Sequence, residues 1–283
     1  MSIVYGLSYL LSFLPLWLLY LISDLCYIII YYLIGYRKKV VVQNLTHAFA
    51  NKTAQQRKSI EKAFYQHLCD LLFEHIKALT ITPKRLVQQV TINGNDIETL
   101  ERFYQKGQSI ILVAGHFGNW EWIAHALAYQ TSYTICAGYQ PLHHTNIDQT
   151  VRHIRSRFQR KAIPITALLR HIRSYTGAPQ ATTLLIDQAP LHKGSGHATT
   201  FLAQPTSVAL TAAKLAQKCN QPIFYIQIER IKRGKYQAKP ILLAERPDLL
   251  PTCEIAEQYT RKLEADILRN PPFWLWSHRR WKA

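Results

Sequence analysis

The stretch at residues 109–122 constrains the fold most, because it reads as a buried strand, a sharp turn and the start of a helix. Its apolar run, residues 110–113, has the length and β-branched composition of a buried strand. Gly115 breaks the run, and Asn119 is suited to cap the following helix, because its side chain can accept a hydrogen bond from a free backbone N–H. The turn is therefore expected to present His116 at the rim of a sheet.

This turn carries an imidazole and, five positions later, a carboxylate. We expect Glu121, in the first helical turn, to reach Nδ1 of His116, fix its tautomer and stabilise the imidazolium that forms when Nε2 accepts a proton. The sequence offers no activated nucleophile beside this pair, so the proton is expected to come from a substrate hydroxyl or amine. The alternative interpretation is a structural histidine at a strand end, because a single His and Glu at this spacing are common.

The charge balance restricts the partners of the chain. Its 34 Lys and Arg against 17 Asp and Glu give a net charge of +17, which favours nucleic acid, acidic lipid headgroups or an acidic carrier protein. The five cysteines are scattered without a CxxC pair, which predicts reduced thiols and neither a disulfide framework nor a zinc site. Among the histidines only His143 and His144 are adjacent, and we interpret them as surface residues, so no metal is predicted.

The N-terminal region is apolar enough to enter a membrane. Residues 3–36 contain one formally charged side chain, Asp24, and an Arg-Lys-Lys cluster follows them. The run exceeds the roughly 20 residues that span a bilayer as a helix, but Pro15 and Asp24 argue against one straight helix. We predict a membrane anchor at residues 1–36, either a kinked span or a helical hairpin lying partly in the interface, with residues 37–283 facing the cytoplasm. A helix pair buried in the protein is the alternative.

Strands and helices alternate through the rest of the chain. Beyond the first strand, strands are predicted at residues 90–92, 133–137, 163–165, 183–186, 222–229 and 236–243, and helices at 53–79, 96–105, 146–159, 168–175, from Thr206 or Ser207 to 219, and 253–269. This order predicts an α/β fold with a central, mostly parallel sheet flanked by helices. Asp187 and Gln188 follow one strand, at the edge where open α/β sheets bind ligands.

Five segments, taken in order, resemble one known family: GHFGNWE at residues 115–121, YQPL at 139–142, RSRF at 155–158, DQ at 187–188 and WSHRRWK at 276–282. Together they resemble the bacterial lipid A biosynthesis acyltransferases, the lauroyl and myristoyl transferases of late acylation steps. This family lies within the broader glycerolipid acyltransferase superfamily, which usually has an aspartate at the position of Glu121. The resemblance covers essentially the whole chain, and the glutamate and the tail point to the lipid A branch.

The resemblance implies transfer of a fatty acyl group from acyl carrier protein or acyl-CoA to a hydroxyl of a lipid A precursor at the bacterial inner membrane, without a cofactor. It maps the catalytic pair onto His116 and Glu121, and the substrate-binding arginine onto Arg157, with Arg155 as a close rival. It also maps the Asp-Gln pair onto residues 187–188. The chain continues Ala-Pro-Leu after this pair, unlike the Asp-Gln-Asp form of enterobacterial members, which leaves acceptor identity and chain length open.

The mechanism expected from these residues is general-base catalysis. His116 deprotonates the acceptor hydroxyl, Glu121 orients the imidazole, and the hydroxyl attacks the thioester directly. Backbone N–H groups of Gly118 and Asn119, with Arg157, are expected to stabilise the oxyanion. The basic surface is expected to bind lipid A phosphates, anionic membrane lipids and the acidic carrier protein.

Two other functions remain open on the sequence alone. One is the same chemistry on a different acceptor, such as an aminolipid or a pigment precursor. The other is a non-enzymatic basic membrane protein that binds nucleic acid or anionic lipid. The sequence contains no recognised nucleic-acid module, so we predict no nucleic-acid partner.

Overall fold

The computed structural model describes residues 3–140, 153–190 and 196–281. The predicted surface pair His143 and His144, and the first part of the helix predicted at residues 146–159, lie outside these ranges. Residues 153–156 are helical and lead into a 3-10 turn at Arg157–Gln159.

Helices precede, connect and flank the strands. The helices are α1 (Ile3–Ser12), α2 (Leu16–Ile28) with a π-helical continuation (Ile29–Ile34), α3 (Lys38–Ala48), α4 (Ala54–Lys77), α5 (Pro83–Val87), α6 (Gly94–Gln105), α7 (Trp120–Gln130), α8 (Ile165–Ser174), α9 (Thr211–Cys219) and α10 (Thr252–Arg269). The strands are β1 (Val90–Ile92), β2 (Ile110–Ala114), β3 (Thr134–Tyr139), β4 (Lys161–Pro164), β5 (Gln180–Leu185), β6 (Gly196–Phe201), β7 (Gln204–Ala209), β8 (Ile223–Lys232) and β9 (Lys235–Ala244).

Seven of the strands form one sheet in the described part of the chain, in the order β1-β9-β8-β2-β5-β3-β4. All neighbouring strands are parallel except β8 and β9. The apolar run predicted as a buried strand is β2, which lies between β8 and β5 with residues 110–113 buried. The predicted α/β fold with a mostly parallel sheet is confirmed.

The helix predicted to start at Thr206 or Ser207 begins instead at Thr211, after an antiparallel β6–β7 hairpin. Both residues belong to β7, where Thr206 pairs with Thr199 and Ser207 pairs with Ala198. A serine or threonine caps a helix only when its own backbone is not already paired, and here the hairpin takes both residues. The position of the helix cap was therefore predicted wrongly.

The apolar N-terminal segment packs along one side of α4. Helix α4 begins with the predicted capping box of Thr53 and Gln56. Near its other end, Lys77 Nζ donates to the backbone oxygens of Ser12 and Leu14 at 2.9 Å each. Further contacts follow α2 toward the start of α4: Tyr20 to Glu74, Ser23 to Asp70, and Tyr31 against Tyr65. The two helices therefore lie antiparallel, side by side, over most of the length of α2.

The other side of this segment is an exposed apolar row, formed by Trp17, Leu21, Leu25, Ile28, Ile29, Tyr32 and Leu33. Among the described residues, one helical stretch, Leu16–Ile34, has the length and composition to cross a membrane. The opposite face of this stretch packs against α4. One side of the stretch is therefore buried against the protein, and the other side is exposed and apolar.

Candidate active site

The register of the sheet brings His116 next to Asp187. Strands β2 and β5 are parallel, with Ala114 paired to Leu185, so the residues two positions beyond each lie side by side at the carboxyl edge. Asp187 Oδ1 lies 2.7 Å from Nδ1 of His116, and Oδ2 accepts the backbone N–H of His116 at 3.0 Å. The indole N–H of Trp274 also donates to Oδ2, at 2.8 Å.

The Asp187 carboxylate is buried, and it is ionised at neutral pH. Burial alone would raise its pKa, but the positive charge of His116 and the hydrogen bonds from His116 and Trp274 outweigh burial and lower the pKa of Asp187 to about 2. A carboxylate accepts only, so Nδ1 of His116 must carry the proton in this contact. Nε2 is then the ring nitrogen that can accept a proton from another group.

Glu121 does not contact His116, and the predicted His116–Glu121 hydrogen bond is wrong. The Glu121 carboxylate is held by two guanidiniums: Arg155 Nε lies 2.9 Å from Oε1 and Arg160 Nη1 lies 3.1 Å from Oε2. The physical reason is the direction of the first turn of α7, which carries Glu121 into the interior, whereas Nδ1 of His116 is already occupied by Asp187.

The cluster around Glu121 carries a net positive charge, because two guanidiniums share one carboxylate. Burial raises the pKa of Glu121, but the charges of Arg155 and Arg160 outweigh it and hold that pKa well below its usual range. His125 lies 3.3 Å from Arg160 and is neutral, since burial and Arg160 hold its pKa well below the ordinary histidine value. Arg160 Nε has no hydrogen-bond partner in the described part of the chain.

An apolar pocket that opens to solvent lies between α7 and the sheet. Residues of four strands and α7 line it, among them Leu112, Ala137, Leu184, Ile226, Ala124 and Leu127. Glu121, Arg155 and Arg160 form a charged part of its wall. Trp120 also lines the cavity, and its ring meets the His116 ring edge-on with centroids 5.0 Å apart. The His116 imidazole, held at Nδ1 by Asp187, therefore lies beside an apolar pocket.

The family model of the bacterial lipid A biosynthesis acyltransferases matches the chain over residues 1–283. The chain belongs to this family. Its resemblance to the family in sequence is thereby confirmed over the whole length. No curated protein matches the chain as a close sequence relative.

Two predicted substrate-binding residues of this acyltransferase have structural contacts instead. Asn119 is the predicted N-cap of α7, accepting from the Trp122 N–H at 2.9 Å, but its side chain is fully buried and so does not face a substrate. Arg157 donates to the backbone oxygens of Ala78 and Ile81, and this holds its guanidinium against the α4–α5 loop. Arg155, the rival in the sequence comparison, lines the cavity together with Arg160.

The predicted oxyanion donor Gly118 is also unavailable. Its backbone N–H donates to Phe273 O at 2.9 Å. Asp187 and Gln188 were predicted to bind substrate. Asp187 instead lies against His116, and Gln188 is exposed directly after it.

The C-terminal tail of the acyltransferase completes the site, which the sequence did not reveal. Trp274 donates to Asp187, and the Leu275 N–H donates to His116 O at 3.1 Å. Trp274 and Trp276 of this tail pack on the core, because both side chains are buried. A buried indole N–H needs a hydrogen-bond acceptor. A tryptophan in the tail could therefore have suggested a buried acceptor, which in the structure is Asp187.

Proposed function

We propose that this acyltransferase moves a fatty acyl group from a thioester donor, acyl carrier protein or acyl-CoA, to a hydroxyl of a lipid A precursor. The observation that carries the proposal is the His116–Asp187 pair at the ends of adjacent parallel strands, beside an apolar cavity. Family membership supplies the acceptor class. The residue roles below are our assignment.

In the proposed reaction, His116 is the general base. Its Nε2 takes the proton of the acceptor hydroxyl while Nδ1–H stays bonded to Asp187, whose negative charge stabilises the imidazolium. The hydroxyl oxygen attacks the thioester carbonyl carbon, so a C–O bond forms and the C–S bond then breaks. The imidazolium returns its proton to the departing thiolate, which leaves His116 neutral for the next turnover.

We assign stabilisation of the carbonyl oxygen to Arg155. Its side chain is 18% exposed, lines the cavity and belongs to a cluster with excess positive charge. A developing oxyanion is stabilised most by charge that is fixed beforehand in a site with little water. In this proposal Glu121 acts by holding Arg155 and Arg160 in place, so it is a positioning residue of the reaction.

The apolar cavity is the proposed site of the donor acyl chain, and filling it should shorten the chain that the enzyme prefers. Ala124→Leu is expected to reduce kcat/KM for the preferred donor about tenfold relative to a donor two methylenes shorter, at about 0.8 kcal/mol per buried methylene. Competition between donors of different lengths measures this ratio. Ala128→Leu, the same change on α7 at a residue that does not line the cavity, should leave the ratio unchanged. An unchanged ratio in Ala124→Leu would exclude the cavity as the chain site.

The apolar N-terminal helices are proposed to lie in the plane of the cytoplasmic leaflet of the inner membrane. Crossing the bilayer in the observed conformation would carry α4 in as well, because Tyr20 and Ser23 are bonded to its buried carboxylates. A helix with one apolar exposed face is typical of interfacial binding, and the basic side chains after it can contact lipid phosphates.

Charge placed on this apolar row should weaken membrane binding. Leu21→Glu is expected to lower the affinity for vesicles containing anionic lipid by about tenfold, because a charge at an apolar contact is desolvated. Vesicle sedimentation measures the bound fraction. Leu249→Glu, the same change at an exposed leucine away from α1 and α2, is the control. If labelling of the N-terminus occurred only from the periplasmic side, the helix would cross the membrane and the in-plane arrangement would be excluded.

Mass spectrometry of lipid A from a deletion strain tests the function as a whole. Loss of one secondary acyl chain, restored by the wild type and not by His116→Ala, is the expected result. Unchanged lipid A would instead favour the same chemistry on another lipid acceptor.

A further inference from the structure

Glu74 is a buried carboxylate near the C-terminal end of α4 that the proposed reaction does not use. We propose that Glu74 is a positioning residue for acyl transfer, which joins the N-terminal helix α2 to the turn that carries His116. The inference rests on the proposed function, since it names a residue that holds the proposed base.

Three elements donate to this one side chain, which is fully buried. Tyr20 Oη of α2 donates to Oε1 at 2.8 Å. Asn119 Nδ2 donates to Oε2 at 2.7 Å, and Tyr236 Oη of β9 donates to the same oxygen at 2.8 Å. Glu74 therefore contacts the anchor, the catalytic turn and the sheet at once.

Asn119 transmits this contact to the catalytic turn. It follows His116 by three residues, and its Oδ1 also caps α7 through the Trp122 N–H. The indole N–H of Trp122 donates to the backbone oxygen of Glu74 at 3.0 Å, a second bond between α4 and this turn. Gly118 between them has φ +57°, and a Cβ there would lie 2.8 Å from Ile228. The turn thus has little room to move except by releasing Asn119 from Glu74.

The contact acts through hydrogen bonds more than through charge. Burial raises the pKa of Glu74 to about 7, although the bonds from Tyr20, Tyr236 and Asn119 lower it. A glutamine fits the same donors: its carbonyl can accept from Asn119 and Tyr236, and its amide can donate to the Tyr20 hydroxyl. A leucine of similar size can accept none of them.

The experiment compares Glu74→Gln with Glu74→Leu in the full-length protein reconstituted in phospholipid vesicles, with His116→Ala assayed beside them. Glu74→Leu is expected to lower kcat by roughly 10- to 100-fold, the scale of a displacement of about 1 Å of a catalytic group, with KM for the acyl donor within about twofold. Glu74→Gln is expected to restore kcat to within about threefold of the wild type. Near-UV circular dichroism and the melting temperature report whether each variant is folded.

A milder change tests the link to α2 and covers the case in which Glu74→Leu does not fold. Tyr20→Phe removes only the hydroxyl that bonds to Oε1 and should lower kcat several-fold. Tyr36→Phe is the matched control, the same change in the anchor segment outside this network, and should leave kcat unchanged.

The inference would be overturned if a folded Glu74→Leu protein had the kcat of the wild type. If Glu74→Leu does not fold, a wild-type kcat in Tyr20→Phe would overturn it. Equal losses of kcat in the glutamine and leucine variants would also overturn it, because the charge would then be needed. If either of these two results were obtained while His116→Ala was inactive, the role of Glu74 would be excluded and the proposed function would stand. Activity in His116→Ala would instead remove the proposed function itself, whatever the Glu74 variants do.

Discussion

Replacing His116 by alanine is expected to lower kcat by about 10²–10⁴-fold, the usual contribution of a general base. KM for the acyl donor should change little, because the acyl chain is assigned to the cavity and makes its apolar contacts there. Initial rates with purified enzyme and a thioester donor measure both constants. His47→Ala, at an exposed histidine near the end of α3, is the control and should behave as the wild type.

The pH profile gives a second test of His116 as the base. The pKa of Asp187 is about 2, against roughly 3.9 for an unfolded aspartate, so its stabilising contribution is present above about pH 4 and is lost as the pH falls toward 2. A loss of activity well above pH 4 would therefore not come from protonation of Asp187. Retention of activity in His116→Ala to within tenfold would exclude the base assignment.

The parts of the site that depend on neighbouring residues were predictable from the sequence. The strand at residues 110–113, the break at Gly115 and the Asn119 cap follow from local composition and side-chain length, and all three are present. The same holds for the capping box of α4. Local propensity and tertiary structure agree at these positions, so sequence reasoning is sufficient there.

The partner of His116 could not be predicted in this way. Asp187 lies 71 residues further along the chain, and only the pairing of β2 with β5 brings it to Nδ1. Sequence analysis placed Asp187 at the correct edge of the sheet, but local sequence patterns do not predict the strand order. Glu121, only five residues away, was the obvious partner, and it was the wrong one because the helical turn directs it to Arg155.

Glu74 was overlooked for a related reason. A carboxylate within an amphipathic helix is normally interpreted as solvent-facing, and here α2 covers it and supplies Tyr20 as a donor.

The β6–β7 hairpin was missed because threonine and serine favour both helix caps and strand positions, and only the pairing partners decide between them.

Asp187→Asn is expected to lower kcat about 10³–10⁴-fold, which makes it the second large effect. An asparagine has the same shape as aspartate but no charge, so it cannot stabilise the imidazolium. Three donors converge on the carboxylate: His116 Nδ1, the His116 backbone N–H and the Trp274 indole. Two of these donors meet Oδ2, so the amide nitrogen is expected at the Oδ1 position, where it faces Nδ1. There it would favour the tautomer with the proton on Nε2, which cannot act as the base.

Glu121→Gln is the matched control, because it is the same chemical change at the other buried carboxylate of the site. Its expected effect is on stability: two guanidiniums, one of them 3% exposed, would lose their counter-charge, at a cost of about 3–5 kcal/mol in the free energy of unfolding. Thermal or denaturant melts measure this change. Any loss of kcat in the folded fraction would reflect displacement of Arg155, and the pH profile should keep its wild-type form.

Comparing Asp187→Asn with Glu121→Gln shows which of the two carboxylates orients His116 and stabilises its imidazolium. If Asp187 does so, Asp187→Asn loses activity while it stays folded, and Glu121→Gln loses stability first. The opposite pattern, with Asp187→Asn active and Glu121→Gln folded but inactive, would mean that the enzyme rearranges on binding substrate so that Glu121 reaches His116. Such a rearrangement would have to break both arginine contacts of Glu121 and release His116 from Asp187. The observed contacts therefore favour Asp187.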